Sequence, residues 1–208
     1  MKNILNPSRF FYKFLEEHIS RHQHLARGRL IDVGCGKKPF KHLFTNVDSY
    51  YGVDIDENSK ADLICDVMEL QIEADSADSV LCTQVLEHVS EPNMLICEIS
   101  RICKKGAVVL LTAPHMCRIH GEPYDFFRFT RFGLKHLFEK NELEIIEIEE
   151  IGGFFLAMTY LTNFYLKQKI GPFSYAINPF INLFYLAIKS FDKNKSHTFN
   201  YLVVAKKI

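Results

Sequence analysis

Three carboxylates and a pair of glycines stand where a ligand could be held. Asp32, Gly34 and Gly36 close the run Leu30-Ile31-Asp32-Val33-Gly34-Cys35-Gly36. Glycines spaced by one let a buried strand turn sharply and bring its backbone close to a ligand. Asp54 lies twenty residues beyond Gly34, at the end of Tyr50-Tyr51-Gly52-Val53. A carboxylate there can accept two hydrogen bonds from a ribose diol, and the nearby Asp56 is an alternative for that role. Asp66 follows, with Val67 and Met68; it could also simply end a strand in a turn. A second group of side chains could move protons. Between Pro114 and Thr130 the chain concentrates two histidines, two acids, two arginines and four aromatics. Histidine titrates near neutrality and suits a general base. His115, His120 and Asp125 are therefore the candidate catalytic residues. The competing reading is that Tyr124 to Phe129 packs this loop onto the core, with Arg128 paired to Asp125.

These residues need elements to position them. Asn6-Pro7 is a helix start, with Asn as cap and Pro at the first position. Phe10, Phe11, Phe14, Leu15 and Ile19 then recur at helical spacing. Leu30 to Val33 reads as a first strand and Lys37 to Phe44 as the helix after it. Tyr50 to Asp56, Ala61 to Asp66 and Ser79 to Thr83 read as further strands. Glu91-Pro92 opens a helix that Lys104-Lys105-Gly106 closes. Ala107 to Thr112 is an uninterrupted apolar strand of the kind buried on both faces of a parallel sheet. Thr130 caps a helix through Lys140, Leu143 to Ile151 is a charged alternating strand, and Asn200 to Ala205 is the last. Strand and helix alternate as in βαβ units, so the expected fold is α/β, a Rossmann-like doubly wound sheet with helices on both faces. In such sheets ligands bind beyond the C-terminal ends of the strands, where Asp32, Asp54, Asp66 and Thr83-Gln84 all fall.

Composition narrows the class. The chain has 208 residues, 48% of them apolar, enough for one domain with a sizeable core. The formal net charge is zero, which argues against a general nucleic-acid binder. That balance hides an asymmetry: residues 151–208 carry seven lysines and one acid, Asp192, hence +6, leaving −6 for residues 1–150. No two of the six cysteines have CxxC spacing, and no metal ligand set is expected. Reduced thiols, and an N-terminus lacking a signal-peptide pattern, fit a cytoplasmic protein.

The order of these motifs resembles the class I S-adenosylmethionine-dependent methyltransferases, in the small-molecule, type 11-like branch with a "VLEHV" motif. The resemblance is carried by LIDVGCG, YYGVDID, ADLICDVMEL, VLCTQVLEHVSEPNMLICEISRICKKGAVVLLTAP and FTRFGLKHLFEKNELEIIEI, and covers roughly residues 28–151 plus the last strand. It implies S-adenosylmethionine as cofactor and a seven-stranded sheet whose last strand is antiparallel. It also implies roles by position. Gly34 and Gly36 would let backbone approach the methionine part, and Asp32 would orient the amino group. Asp54 would hold the ribose, with Ile55 against the adenine. Asp66 would take the adenine amino group, with Val67 and Met68 on the ring. Backbone at Thr83 and Gln84 would line the methionine end. A nicotinamide dehydrogenase would want a third glycine where this chain has Gly36-Lys37-Lys38-Pro39. Glu87 and His88 are read as shaping the turn after the fourth strand. The PYDFFRFT stretch is similar to one in methyltransferases of glycan or glycolipid pathways, which implies a small or lipid/glycan-linked acceptor, methylated at a hydroxyl. The alternative is a non-catalytic binding or scaffold protein on the same fold.

One region lies outside the resemblance. The expected plan is a single methyltransferase domain over 1–208, with an N-terminal helix (1–28), a cofactor-binding core (29–151), an apolar helical insert (152–198) between the sixth and seventh strands, and the last strand (199–208). The insert holds two charge-free apolar runs, Ile151 to Leu166 and Ile170 to Ile188, flanked by lysines and dense in aromatics. Neither suits a bilayer-spanning helix, given its length or its Pro172, Asn178, Pro179 and Asn182. Three readings stand open: a lid over an apolar substrate, a peripheral membrane anchor, or a face buried in a homodimer or against the N-terminal helix.

Overall fold

The computed structural model of the chain describes residues 7–192 and 196–208. Asn6, Lys193 and Lys195, which the sequence reading used, lie outside the described residues. Seven strands form one sheet: β1 (Arg29–Val33), β2 (Ser49–Asp54), β3 (Leu63–Ile64), β4 (Ala77–Thr83), β5 (Cys103–Pro114), β6 (Leu143–Ile151) and β7 (Asn200–Lys207). Their spatial order is β3-β2-β1-β4-β5-β7-β6. β3, β2, β1, β4 and β5 pair in parallel, and β7 runs antiparallel to both β5 and β6. This is the expected Rossmann-like sheet with an antiparallel last strand.

Strand alternation divides the core into two layers. Ile31, Val33, Val80, Cys82, Val109 and Leu111 face one way, and α2 (Pro92–Ile102) and α3 (Arg131–Lys140) cover them with Leu95, Ile99, Leu134 and Phe138. Leu30, Leu81, Leu110, Leu202 and Val204 face the other way, under Leu15 and Ile19 of α1 (Pro7–His22). α1 is also tied to β6 by charge, since His18, Arg21 and His22 converge on Glu149 at 2.8–3.7 Å. Two helices, α4 (Phe154–Ile170) and α5 (Ser174–Ile188), connect β6 to β7. α4 packs on α1 through a third cluster in which Phe10 and Phe11 meet Leu156, Ala157, Tyr160, Tyr185 and Phe199.

Two expected elements take another form. Lys37 to Phe44 is not an α-helix; among these residues only Lys41–Leu43 form a single 3-10 turn. Pro39 has no N–H to give a helix, and Lys38 sits at φ 55, in the left-handed region, after a tight turn closed by its N–H on the Cys35 carbonyl. Lys104-Lys105-Gly106 do not close a helix. α2 stops at Ile102, and these residues begin the twelve-residue β5.

Candidate cofactor and acceptor site

The residues at the C-terminal ends of β1, β2 and β4 are held by short backbone contacts. Gly34 sits at φ 70, and a Cβ there would lie 2.2 Å from the Val85 side chain. Its missing side chain thus makes room for Val85. Gly36, at φ 50, has no atom within 4 Å of a Cβ position, so open space lies there. Asp54 accepts the Gly36 N–H at 2.7 Å and the Asp56 N–H at 2.9 Å, which ties the first loop to the end of β2. Its two oxygens keep lone pairs for further donors. Asp56 accepts both the backbone and side-chain N–H of Asn58, so it holds its own turn. Ile55 is exposed beside them. Asp66 accepts the Met68 N–H at 2.8 Å, Val67 is buried, and Met68 packs on the core. Gln84 sits at φ 56, with its side-chain amide turned into the sheet toward Thr112 and Asn200. Only its backbone is left to face a ligand.

Asp32 is the charged residue buried nearest this turn. Tyr50 donates its hydroxyl to one carboxylate oxygen, and the other, Oδ1, has no hydrogen-bond partner. Burial pushes its carboxyl up to about 7, against the smaller opposing effects of Tyr50 and Lys38. An unpartnered carboxylate oxygen in a buried place is a costly arrangement that a cationic ligand would relieve.

A second space opens beside Gln84. A cavity of about 280 Å³ is lined by residues of α1, α4 and the two loops after β4 and β5, among them Tyr12, Gln84, His88, Cys117, His120 and Tyr160. Arg118 and Phe164, with the guanidinium 4.5 Å from the ring centre, also border a wider groove of about 950 Å³ that runs along α4 to Tyr165 and Lys167. Of the three catalytic candidates, only His120 lines the cavity. His115 is turned away, its Nδ1 2.8 Å from the Phe129 carbonyl and its ring on Tyr201. Asp125 is gripped by Arg128 at 2.6 and 2.8 Å and accepts the His120 N–H at 2.7 Å. Arg128 holds its carboxyl down to about 2. That geometry makes Asp125 a brace for the loop. The Cys117 thiol and then the Glu87 carboxylate push the His120 imidazole up to about 10, so it carries its proton at neutrality.

Two residues read from sequence as shaping a turn also reach this place. Glu87 is fully buried, and His88 lines the cavity with its ring 4.8 Å from that of His120. No spacing along the chain joins His120 to them, because they sit on separate loops that only the sheet brings together. Tyr160 of α4 was likewise invisible as a cavity residue.

Comparison with known proteins bears on what this arrangement serves. A family of methyltransferase domains, type 11, matches residues 31–111, from within the first strand through most of the fifth. Residues 31–111 thus carry a methyltransferase domain of the class I, S-adenosylmethionine-dependent kind. Its cofactor is S-adenosylmethionine. No curated protein sequence matches. Among solved structures, this methyltransferase is similar to geranyl diphosphate methyltransferase in complex with S-adenosylmethionine, with a TM-score of 0.64 and 11% identity over 93% of this chain and 84% of that one. A methyltransferase from Mesorhizobium loti gives a TM-score of 0.62 and 14% identity over 92% and 97%. The cyclase SpnF gives 0.62 and 18% over 93% and 79%. At these identities the likeness shows the fold.

Proposed function

We propose that this methyltransferase transfers a methyl group to a hydroxyl of a small acceptor seated in the 280 Å³ cavity, with a lipid or glycan carrier lying in the adjoining groove. The observation that carries this reading is that Gln84, next to the Val85 that packs on Gly34, lines the same cavity as His88 and His120. The residues fit the cofactor. Asp32 has a spare buried oxygen for its ammonium, and Asp54 has spare lone pairs for the ribose hydroxyls. Ile55, Val67 and Met68, with Asp66, offer the adenine a largely apolar seat. Gly34, Gly36 and the backbone of Thr83 and Gln84 line the methionine end. When bound, the cofactor supplies a sulfonium methyl that needs alignment more than activation.

The protein's own part is to orient the hydroxyl and take its proton. His88 Nδ1 lies 2.6 Å from the Tyr124 carbonyl, a contact that makes Nδ1 the donor and Nε2 the acceptor of the neutral ring. His88 is better placed as base than His115, which faces away. His120, already protonated, offers a charge that steadies the oxygen as it loses its proton. Methyl transfer from S-adenosylmethionine is read by mass spectrometry against hydroxyl-bearing glycan and prenyl acceptors. His88→Ala should lower kcat by about a hundredfold with cofactor affinity unchanged. A protein that binds cofactor yet methylates no acceptor in such a panel would favour the scaffold alternative.

A second observation favours contact with a lipid surface. α5 is built inside out. Its buried stripe is Ser174, Asn178, Asn182 and Tyr185, while Phe173 (79% exposed), Phe180 (73%), Leu183 and Phe184 face outward. Asn163 of α4 donates to Asn182 at 2.8 Å, so polar groups are used where a soluble helix pair would place leucines. Lys167, Lys169 and Lys189 flank this apolar face. Aromatics at the boundary with lysines at the head groups is the chemistry of an interfacial anchor. No helix among the described residues is long and apolar enough to cross a membrane. Flotation with anionic vesicles at low salt should carry the protein upward, and Phe180→Ser with Phe184→Ser should leave it behind. Wild-type protein that stays below the vesicles, or sediments as a dimer that this double change dissolves, would assign the face to a second copy.

A further inference from the structure

Glu87 is an acid buried without a side-chain hydrogen bond. It is fully buried, and neither carboxylate oxygen has a hydrogen-bond partner. Such a group is costly unless a cation completes it. Two imidazoles approach it from different loops. His88 Nε2 lies 3.8 Å and His120 Nε2 3.7 Å from Glu87 Oε1. Both separations are too long for hydrogen bonds.

They are close to what a shared ion would set. Two ligands each about 2.1 Å from one ion at a tetrahedral angle stand about 3.4 Å apart. One ligand atom from each of the three residues lies within 4.8 Å of the others. The far side of each ring is anchored as well. His88 Nδ1 faces the Tyr124 carbonyl at 2.6 Å and His120 Nδ1 faces the Arg118 carbonyl at 3.1 Å. A carbonyl on His88 Nδ1 fixes the tautomer that leaves its Nε2 free, the usual outer support of a metal-binding histidine; His120 Nδ1 also faces Asp125 Oδ2 at 3.5 Å, and an ion at its Nε2 would displace the proton that the ring otherwise carries.

From this geometry we infer a divalent transition-metal site formed by Glu87, His88 and His120. Two nitrogens and one carboxylate suit zinc or ferrous iron, whereas magnesium and calcium take oxygen ligands. Three protein ligands leave a position open, and His88 and His120 both line the 280 Å³ cavity, so that position faces the acceptor space. The binding of the ion stands on the geometry alone; its use in catalysis rests on the methyl-transfer reading above. With an ion in place, His88 Nε2 would be a ligand instead of the base, and the ion would lower the pKa of a bound acceptor hydroxyl. The proton leaves to water, the oxygen bonds to the methyl carbon, and the methyl–sulfur bond breaks with the electron pair staying on sulfur.

The test is calorimetric titration of chelator-stripped full-length protein with zinc, and with cobalt for its visible spectrum. One ion should bind per chain, and cobalt should give the absorption of a site with mixed nitrogen and oxygen ligands. Glu87→Gln, His88→Ala and His120→Ala should each weaken zinc binding by about tenfold or more. S-adenosylmethionine is titrated into the same samples, so a failed metal site is distinguished from a failed methyltransferase. Wild-type protein that binds cofactor but neither zinc nor cobalt would overturn the inference. So would zinc affinity unchanged in a folded His88→Ala/His120→Ala variant, since seven of the nine histidines and all six cysteines would remain to hold an ion elsewhere.

Discussion

At the residue scale, the two neighbouring acids after β2 are separated by what they already hold. Asp54 ties the first loop to β2 and keeps a lone pair on each oxygen for a diol, while Asp56 holds only its own exposed turn, through Oδ1 to Asn58. Asp54→Ala should weaken S-adenosylmethionine binding by about 1.5–3 kcal/mol, measured by calorimetry, with Asp56→Ala costing clearly less; the reverse order would move the ribose role to Asp56. Asp32 makes a pH prediction. Its folded carboxyl is raised from 3.8 to about 7, so the folded protein without cofactor holds a proton there that the unfolded chain has lost. Stability from this group is therefore complete below the unfolded value and falls as pH rises through about 7. Melting curves from acid to mildly alkaline pH should show this fall in wild type and a flatter profile in Asp32→Asn. An ammonium-bearing ligand should restore wild-type stability most at the alkaline end.

At the element scale, the α4–α5 pair hangs on one aspartate. Asp192, the single acid of residues 151–208, accepts the N–H groups of Gly153, Phe155 and Leu156 at 3.1 Å each. It caps the start of α4 from beyond the end of α5, and so closes the hairpin. Losing such a cap costs about 1–2 kcal/mol. Thermal melts should show Asp192→Ala destabilised by that amount and Asp192→Asn by less. The sequence showed only a lone acid among lysines, because the donors it serves lie far back along the chain. Gly34 carries the opposite lesson. Its spacing to Gly36 was legible as a turn near a ligand, yet its bare Cα is filled by Val85 of another loop. Gly34→Ala should therefore destabilise the fold, by strain at φ 70 and a 2.2 Å contact, more than Gly36→Ala does. The helix expected over Lys37 to Phe44 fails for a local reason, Pro39, that was visible in the sequence but weighed against diphosphate binding instead.

At the scale of the whole molecule, charge and apolar surface are placed together. Lys167, Lys169 and Lys189, part of the C-terminal +6, lie in the hairpin whose outer face is aromatic. If a lipid surface covers it, binding to anionic vesicles should weaken by about 1 kcal/mol for each of Lys167, Lys169 and Lys189 changed to Gln. Added salt should reduce that part and leave the apolar part. Vesicle affinity indifferent to all three changes would argue that charge plays no part in the contact.

The sequence by itself determined the succession of strands along the chain, the turn at Gly34 and Gly36, and the carboxylates at the strand ends. Those are local: periodicity sets strand and helix, and each acid follows its own strand. Only the tertiary structure decided which of His115, His120 and Asp125 face a cavity, that Glu87 and His88 join His120, and that α5 shows its apolar side to the outside. Each of these depends on what a residue meets across the fold. A buried carboxylate without a partner, or a helix turned inside out, has no signature until its neighbours are in place.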